Sequence, residues 1–298
     1  MAHLEGALRF ENTKVGAKMR TLSLVFLTCA LLVAASAQNT KFKRVSPPGS
    51  TYTTTLAVNN GGSMVVGSFV DANSVMNAYA FDGAKYRIIH YPASINFTIA
   101  TGVNKSNVVV GIFVGPDSLN HGFLLKGTKF QRYDVGPKNL GTEIGGINDL
   151  GNFVGNVGYN GAVQGFINIG GTVTQFDGGP TALATYPYAV DNSNNITGMF
   201  IDDKFLAHCF VRASDGTTTQ IDYPGALTTV CLGMNDNGVL SGYYEDRNNA
   251  AHGFIRNNGV FASSSLPDIA GINNDGTYVG SYVGPGGVNY GYVRSPLP

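Results

Sequence analysis

Short alternating apolar runs separated by polar, glycine-bearing turns fill most of the chain. The clearest group of them runs from Leu232 to Phe254, LGMNDNGVLSGYYEDRNNAAHGF. It reads as a strand, an Asn-x-x-Gly turn, a second strand with a central glycine, a polar loop and the start of a third strand. Aligned on the residue that ends the first strand, copies fall at Asn59, Asn104, Asn148, Asp191, Asn235 and Asn273, in steps of 45, 44, 43, 44 and 38 residues. Three positions on stand Gly62, Asn107, Gly151, Asn194, Gly238 and Gly276. Gly and Asn best tolerate a positive φ, which a hairpin loop ending in a left-handed residue requires. The leading Asn or Asp is expected to cap the turn with its side chain. A calcium loop would need a longer spacing and a bidentate Glu.

The second strand carries a glycine in every copy: Gly67, Gly111, Gly155, Gly198, Gly242 and Gly280. A glycine inside a strand points to a close backbone approach or a kink. The third strand is expected to open with Tyr79-Ala80-Phe81, His121-Gly122-Phe123, Gln164-Gly165-Phe166, His208-Cys209-Phe210, His252-Gly253-Phe254 and Tyr290-Gly291-Tyr292, its aromatic residue lying in the core. Alternating runs such as Lys129 to Val135 and Thr217 to Asp222 supply a fourth strand, often closed by Pro or Pro-Gly.

Four short antiparallel strands per repeat of this length make a propeller blade. The sixth copy stops after its third strand, and Phe42 to Val45 with Pro48-Gly49 matches a fourth strand and its exit. The expectation is an all-β, six-bladed β-propeller of four-stranded antiparallel blades, closed by the N-terminal strand completing the last blade. Repeats are placed at 52–92, 93–137, 138–180, 181–224, 225–267 and 268–298 plus 41–49, in one domain over 38–298. An open solenoid would not explain why the last strand comes from the N-terminus.

Composition sharpens this picture. Glycine is 40 of 298 residues, and charged residues are 13% against about 25% in ordinary domains. The formal net charge is zero, so the Lys/Arg excess of a nucleic-acid binder is missing. Met19-Arg20, an apolar run from Leu22 to Ala34 and Ala35-Ser36-Ala37 read as a secretory leader over 1–37 with an unusual N-terminal extension, and Met19 is an alternative start. No later run is long and apolar enough to cross a membrane as a helix. The expected location is secreted, extracellular or periplasmic.

The repeat G-[IVM]-N-x-x-G-x-[VLI]-x-G-x-[YF], followed by His-Gly-Phe or a variant, resembles the extracellular HAF-repeat family of secreted bacterial proteins. Ile221-Asp222-Tyr223-Pro224-Gly225-Ala226 matches that family's usual repeat ending. The resemblance covers nearly all of the mature chain. It implies a repeat architecture and assigns no activity.

Candidate chemistry is sparse. His121, His208 and His252 occupy equivalent places, as zinc ligands could, but equivalent residues of neighbouring blades lie too far apart for one metal. A hydrogen-bonding partner within each blade is the better reading. His90 has no evident partner. Cys209 and Cys231 could bridge in an oxidising compartment. Outer and inner strands of neighbouring blades need not meet, however, so two buried free thiols are favoured.

The loops between second and third strands carry Asp71, Asp117, Asp202, Asp203, Glu245 and Asp246, and in a propeller they share one face with the connections between blades. Ligand-binding candidates are Asp117, Asp202, Asp203, Tyr244, Glu245, Asp246 and Arg247, with no catalytic or metal-ligating residue assigned. No cofactor is expected, calcium alone being left open. The expected function is a non-catalytic secreted binding or structural protein, monomeric, taking a glycan or a surface protein on the loop face. The alternative is a hydrolase of glycans or lactones that uses the loop carboxylates.

Overall fold

The computed structural model describes residues 42–137, 140–159 and 162–295, and the leader expected over 1–37 lies outside the described residues. The described chain is built of strands. They form four four-stranded sheets and one eight-stranded sheet. The eight-stranded sheet is two four-stranded units, joined by one parallel pair between Val163 and Ala184.

Each unit is an antiparallel meander. In the first, Tyr52–Val58, Val65–Val70, Met76–Phe81 and Tyr86–Ile89 follow one another from the inner strand to the outer one. The last unit takes its outer strand from the start of the chain. Lys43, Arg44 and Val45 pair with Val293, Tyr292 and Gly291 of strand Asn289–Arg294. Val45 is wholly buried there, packing in one cluster with Val58, Val65 and Tyr79 of the first unit.

The turn residues do what their chemistry allows. Asn59, Asn104, Asn148, Asp191, Asn235 and Asn273 each accept two backbone N–H groups of their own turn through Oδ1, as from Asn237 and Val239 to Asn235 at 3.0 Å each. The residue three further on has positive φ in every copy, from 57° at Asn107 to 86° at Gly151. The side-chain amides then reach the next unit. Asn104 donates to the carbonyl of Asn148, Asn148 to Asp191, Asn235 to Asn273, and Asn273 back to Asn59. Asn59 donates instead to Oδ1 of Asn107, and Asp191 has no amide hydrogen to give, so the series is interrupted there.

The mid-strand glycines are required by a close approach. A bulge in the inner strand, as between Thr55 and Ala57, drives a carbonyl oxygen onto the glycine. A Cβ at Gly67, Gly111, Gly155, Gly198 or Gly242 would lie 1.9–2.1 Å from that oxygen. At Gly280 the neighbour is Oδ1 of Asp268 instead, because the inner strand of this unit is only Gly271–Ile272. Opposite each glycine stands a fully buried aromatic residue: Tyr79, Phe123, Phe166, Phe210, Phe254 or Tyr292.

Two expectations are corrected. In the first unit Gly67 pairs with Tyr79, so the tripeptide equivalent to His121-Gly122-Phe123 is Asn77-Ala78-Tyr79 and not Tyr79-Ala80-Phe81. Tyr79 and Phe81 lie two apart on one face of the strand, and period-two spacing cannot choose between them. Cys209 and Cys231 are not free thiols. They are disulfide-bonded, with Cα atoms 5.1 Å apart. Cys209 sits on strand Ala207–Arg212 and Cys231 on the next unit's inner strand Thr228–Met234. Both side chains point into the packed layer between units, where a third strand does meet a neighbouring inner one.

Candidate functional site

The residues singled out for the loop face begin as turn formers. Asp202 and Asp246 each open the turn between second and third strands, and Asp117 lies inside the turn that Gly115 opens. Asp202 Oδ1 accepts the N–H groups of Lys204 and Leu206, at 2.9 and 2.8 Å. Asp246 accepts those of Asn248 and Ala250, and Asp117 that of Leu119. The same carboxylates hold the histidines. His121 Nε2 is 2.9 Å from Asp117 and its Nδ1 2.8 Å from Asp134. His208 lies 3.3 Å from Asp202 and 2.9 Å from Asp222, and His252 3.1 Å from Asp246. The first unit builds the same bridge from other residues: Asn77 donates to Asp71 and faces Nδ1 of His90 at 3.0 Å. Each histidine therefore has its partners inside its own unit, including His90, whose partner the sequence did not reveal.

The electrostatics follow from these contacts. The hydrogen bond from His121 holds the Asp117 carboxyl below its usual range. Burial works the other way at Asp202, but the Leu206 N–H, His208 and the Lys204 N–H outweigh it, and the net shift is down. At Asp246 the Ala250 N–H and His252 lower it. These shifts fit carboxylates held ionised by turn and histidine donors.

The other candidates are dispersed. Asp203 and Arg247 are exposed. Glu245 accepts from the Thr228 hydroxyl at 3.3 Å. The Tyr244 ring stacks on Tyr223 at 3.6 Å between centroids, and its hydroxyl meets Ser263. Tyr244, Glu245, Asp246 and Arg247 share one unit, Asp202 and Asp203 belong to the unit before it, and Asp117 to another again.

Other polar sets were missed by the sequence reading. The first lies at the Asn-x-x-Gly turns. A cavity of roughly 60 Å³ is lined there by Val58, Val103, Ile147, Val190, Met234 and Ile272, one from each unit, beneath Asn60, Asp149, Asn192 and Asp236. Asn60 donates to Asp149 at 2.7 Å, and Asn192 and Asn274 donate to Asp236 at 2.8 and 2.7 Å. The signal was present in the sequence as a polar residue directly after every turn position. Among the described residues no group of three or more His, Cys, Asp or Glu is placed to hold a metal ion.

The second is a threonine six places before the turn residue: Thr53, Thr98, Thr142, Thr185 and Thr229, all at most 1% exposed. Four accept a backbone N–H at the end of the preceding outer strand, from Tyr91, Val135, Gly178 and Tyr223. The third lies five places before the turn residue, on the inner strand in every unit but the last. Here stand Thr54, Ile99, Glu143, Tyr186, Val230 and Asp268. Burial pushes the Glu143 carboxyl up, and it pushes Asp268 up to about 7.

No protein-family model matches the sequence, and a comparison with curated proteins finds no relative. Solved structures do match. AofleA from Arthrobotrys oligospora superposes with a TM-score of 0.55 at 13% identity, over 89% of this chain and 90% of that one. The Aleuria aurantia lectin, described as a fungal lectin with a six-bladed β-propeller fold and a fucose recognition mode, gives 0.50 at 12% identity over 83% and 93%. A structure from a study of two prolyl endopeptidases gives 0.50 at 12% identity, with 83% of this chain on 40% of that one. At these identities the likeness is one of fold, and the fold is shared by proteins that differ in what they do.

Proposed function

We propose that the chain is a secreted, non-catalytic six-bladed β-propeller that binds glycans on the face carrying its loop acids, with its ring closed by strand Lys43–Val45. The observation that carries the non-catalytic reading is the parcelling of the acids. Asp117, Asp202 and Asp246 belong to separate units, and each is committed to its own turn and histidine. A hydrolytic pair would have two carboxyls about 5–10 Å apart across an open pocket, whereas the acids that do pair, Asp117 with Asp134 and Asp202 with Asp222, have a histidine ring filling the space between them.

The ring supports itself through hydrogen bonds from the last unit to the first. Asn273 donates to Asn59, the Asn274 N–H to Asn60, and Asn289 to Thr53. The choice of glycan rests on the likeness to the Aleuria lectin over nearly the whole of both chains. Secretion is supported by the buried Cys209–Cys231 bridge, since such bonds persist in oxidising compartments.

A glycan array with the full chain, run beside a hydrolysis screen on the same glycans, tests the reading. Selective binding without turnover is the expected result. Turnover of any bound glycan would overturn the non-catalytic part, and absence of binding across the array would overturn the ligand class.

A further inference from the structure

Glu143 stands out among the residues five places before the turn. It lies on inner strand Thr142–Ile147, where burial alternates strictly. Thr142 and Ile144 are fully enclosed between units, and Glu143 keeps part of its surface open. On an innermost strand the open side faces the axis. Glu143 sits near the strand end away from the Asn148 turn, so it belongs to the loop face and not to the turn-side cavity.

Among the described residues its carboxylate is held by two amides. Asn120, reaching over from the preceding unit, donates to Oε1 at 2.6 Å, and Asn156 donates to Oε2 at 3.3 Å. Those two donors oppose a larger penalty from burial, and among the described residues no Lys or Arg contributes to holding the charge. Tyr188 of the next unit lies close by: burial pushes its hydroxyl up, and the neighbouring Tyr186, Tyr243 and Glu143 push it in the same direction. A desolvated carboxylate without a cation is costly. The fold does not need it, because Thr54, Ile99, Tyr186 and Val230 fill the same place in other units. Asp268, the other acid at this level, is differently used: its Oδ1 takes the Ser281 N–H at 2.7 Å, in place of the shortened inner strand.

We propose that Glu143, with Asn120, Asn156 and Tyr188 around it, forms a subsite at the axial mouth of the loop face for a sugar bearing a protonated amine. The ammonium supplies the missing countercharge, and tyrosines beside a carboxylate suit a cation better than a neutral hydroxyl. The assignment rests on the glycan-binding reading and narrows it to one charge class.

Titration of the full chain with 2-amino-2-deoxyglucose oligomers and with their N-acetylated counterparts tests it. The free-amine ligand should bind at least about tenfold more tightly. Glu143→Gln keeps the shape and removes the charge, and should abolish that preference. Glu143→Thr, the residue the first unit carries here, should do the same, with thermal unfolding confirming that both variants fold. Equal binding of amine and N-acetyl forms, or a preference that survives in both variants, overturns the subsite. Binding of neutral glycans alone would overturn it while leaving the wider reading intact, and no glycan binding at all would overturn both.

Discussion

A buried threonine hydroxyl accepts the last N–H of the preceding outer strand in four units, but Thr53 has no such N–H to accept. Pro47 stands where Tyr91 and Tyr223 stand elsewhere, and proline has no N–H. Thr53 Oγ1 is accordingly buried without a partner, as is Asn289 Oδ1 beside it. Thr98→Val or Thr229→Val should cost about 1–2 kcal/mol by orphaning an amide, whereas Thr53→Val should be neutral or stabilising. Urea unfolding of the three variants decides the matter, and equal losses would refute the account. A second residue-scale effect concerns pH. Asp268 is raised by burial to about 7, above an unfolded value near 3.9, and Glu143 is raised as well. Such groups bind more protons folded than unfolded, so their contribution is fully present below the unfolded pKa and is lost as pH rises through the folded one. Asp117, Asp202 and Asp246 are shifted down, so their contribution is present above the unfolded pKa and is lost as pH falls through the folded one. Stability should therefore climb as pH drops from about 7 towards 4, then fall below about 4. Asp268→Asn should flatten the climb and leave the acid fall in place. A profile in which this variant climbs as steeply as the parent would count against the burial of Asp268 as the cause.

Between neighbouring elements, what was legible in the sequence is what depends on backbone conformation. The Asn-x-x-Gly turns and the mid-strand glycines recur because φ and carbonyl approach admit few residue types, so six copies announce them. Side-chain contacts between units leave a weaker trace. The threonine row is in the sequence at a fixed offset, yet threonine is ordinary in strands and drew no notice. The first unit's third strand was placed two residues late, because Tyr79 and Phe81 are equally aromatic and only the pairing with Gly67 selects one. The loop acids were visible, but not that Asp117, Asp202 and Asp246 would be spent on their own turns and histidines. Glu143 gave no signal, since a single acid in one copy of six looks like drift until its burial and its amide partners are seen. The disulfide was misjudged by treating each sheet alone. Cys209 and Cys231 are both fully buried and join consecutive units across 22 residues. A bridge over a loop of that length stabilises by about 2–4 kcal/mol. The double Cys→Ala variant, or the parent in strong reductant, should unfold at correspondingly lower denaturant, and an unchanged midpoint would show the bond to be energetically idle.

At the scale of the whole molecule, the first described strand completes the last unit, so the chain cannot finish folding until both its ends are present. Lys43–Val45 covers the edge of Asn289–Arg294. Phe42 packs against Tyr282 and Tyr292 at 4.8 and 5.6 Å, and Arg44 lies 3.3 Å over the ring of Tyr290. The segment also grips the first unit: Ser46 N–H donates to the Tyr86 hydroxyl at 2.9 Å, and Lys43 reaches the carbonyl of Gly83. The seam thus binds first and last units through one short strand, at the place where Thr53 and Asn289 leave polar atoms unpaired. Deleting Lys41 to Ser46 removes the buried Val45 and bares a sheet edge. It should lower stability by at least about 2–3 kcal/mol and promote association through the open edge. A synthetic peptide spanning Phe42 to Ser50 should restore the loss in a concentration-dependent way, since it binds the folded form alone. The same peptide with Val45→Asp should fail to restore it, because the replaced side chain would be buried unpaired among Val58, Val65 and Tyr79. Unfolding curves of the truncated chain, with and without each peptide, separate a strand that closes the fold from one that merely lies on it. An unchanged midpoint after deletion would mean that the fold does not depend on this strand.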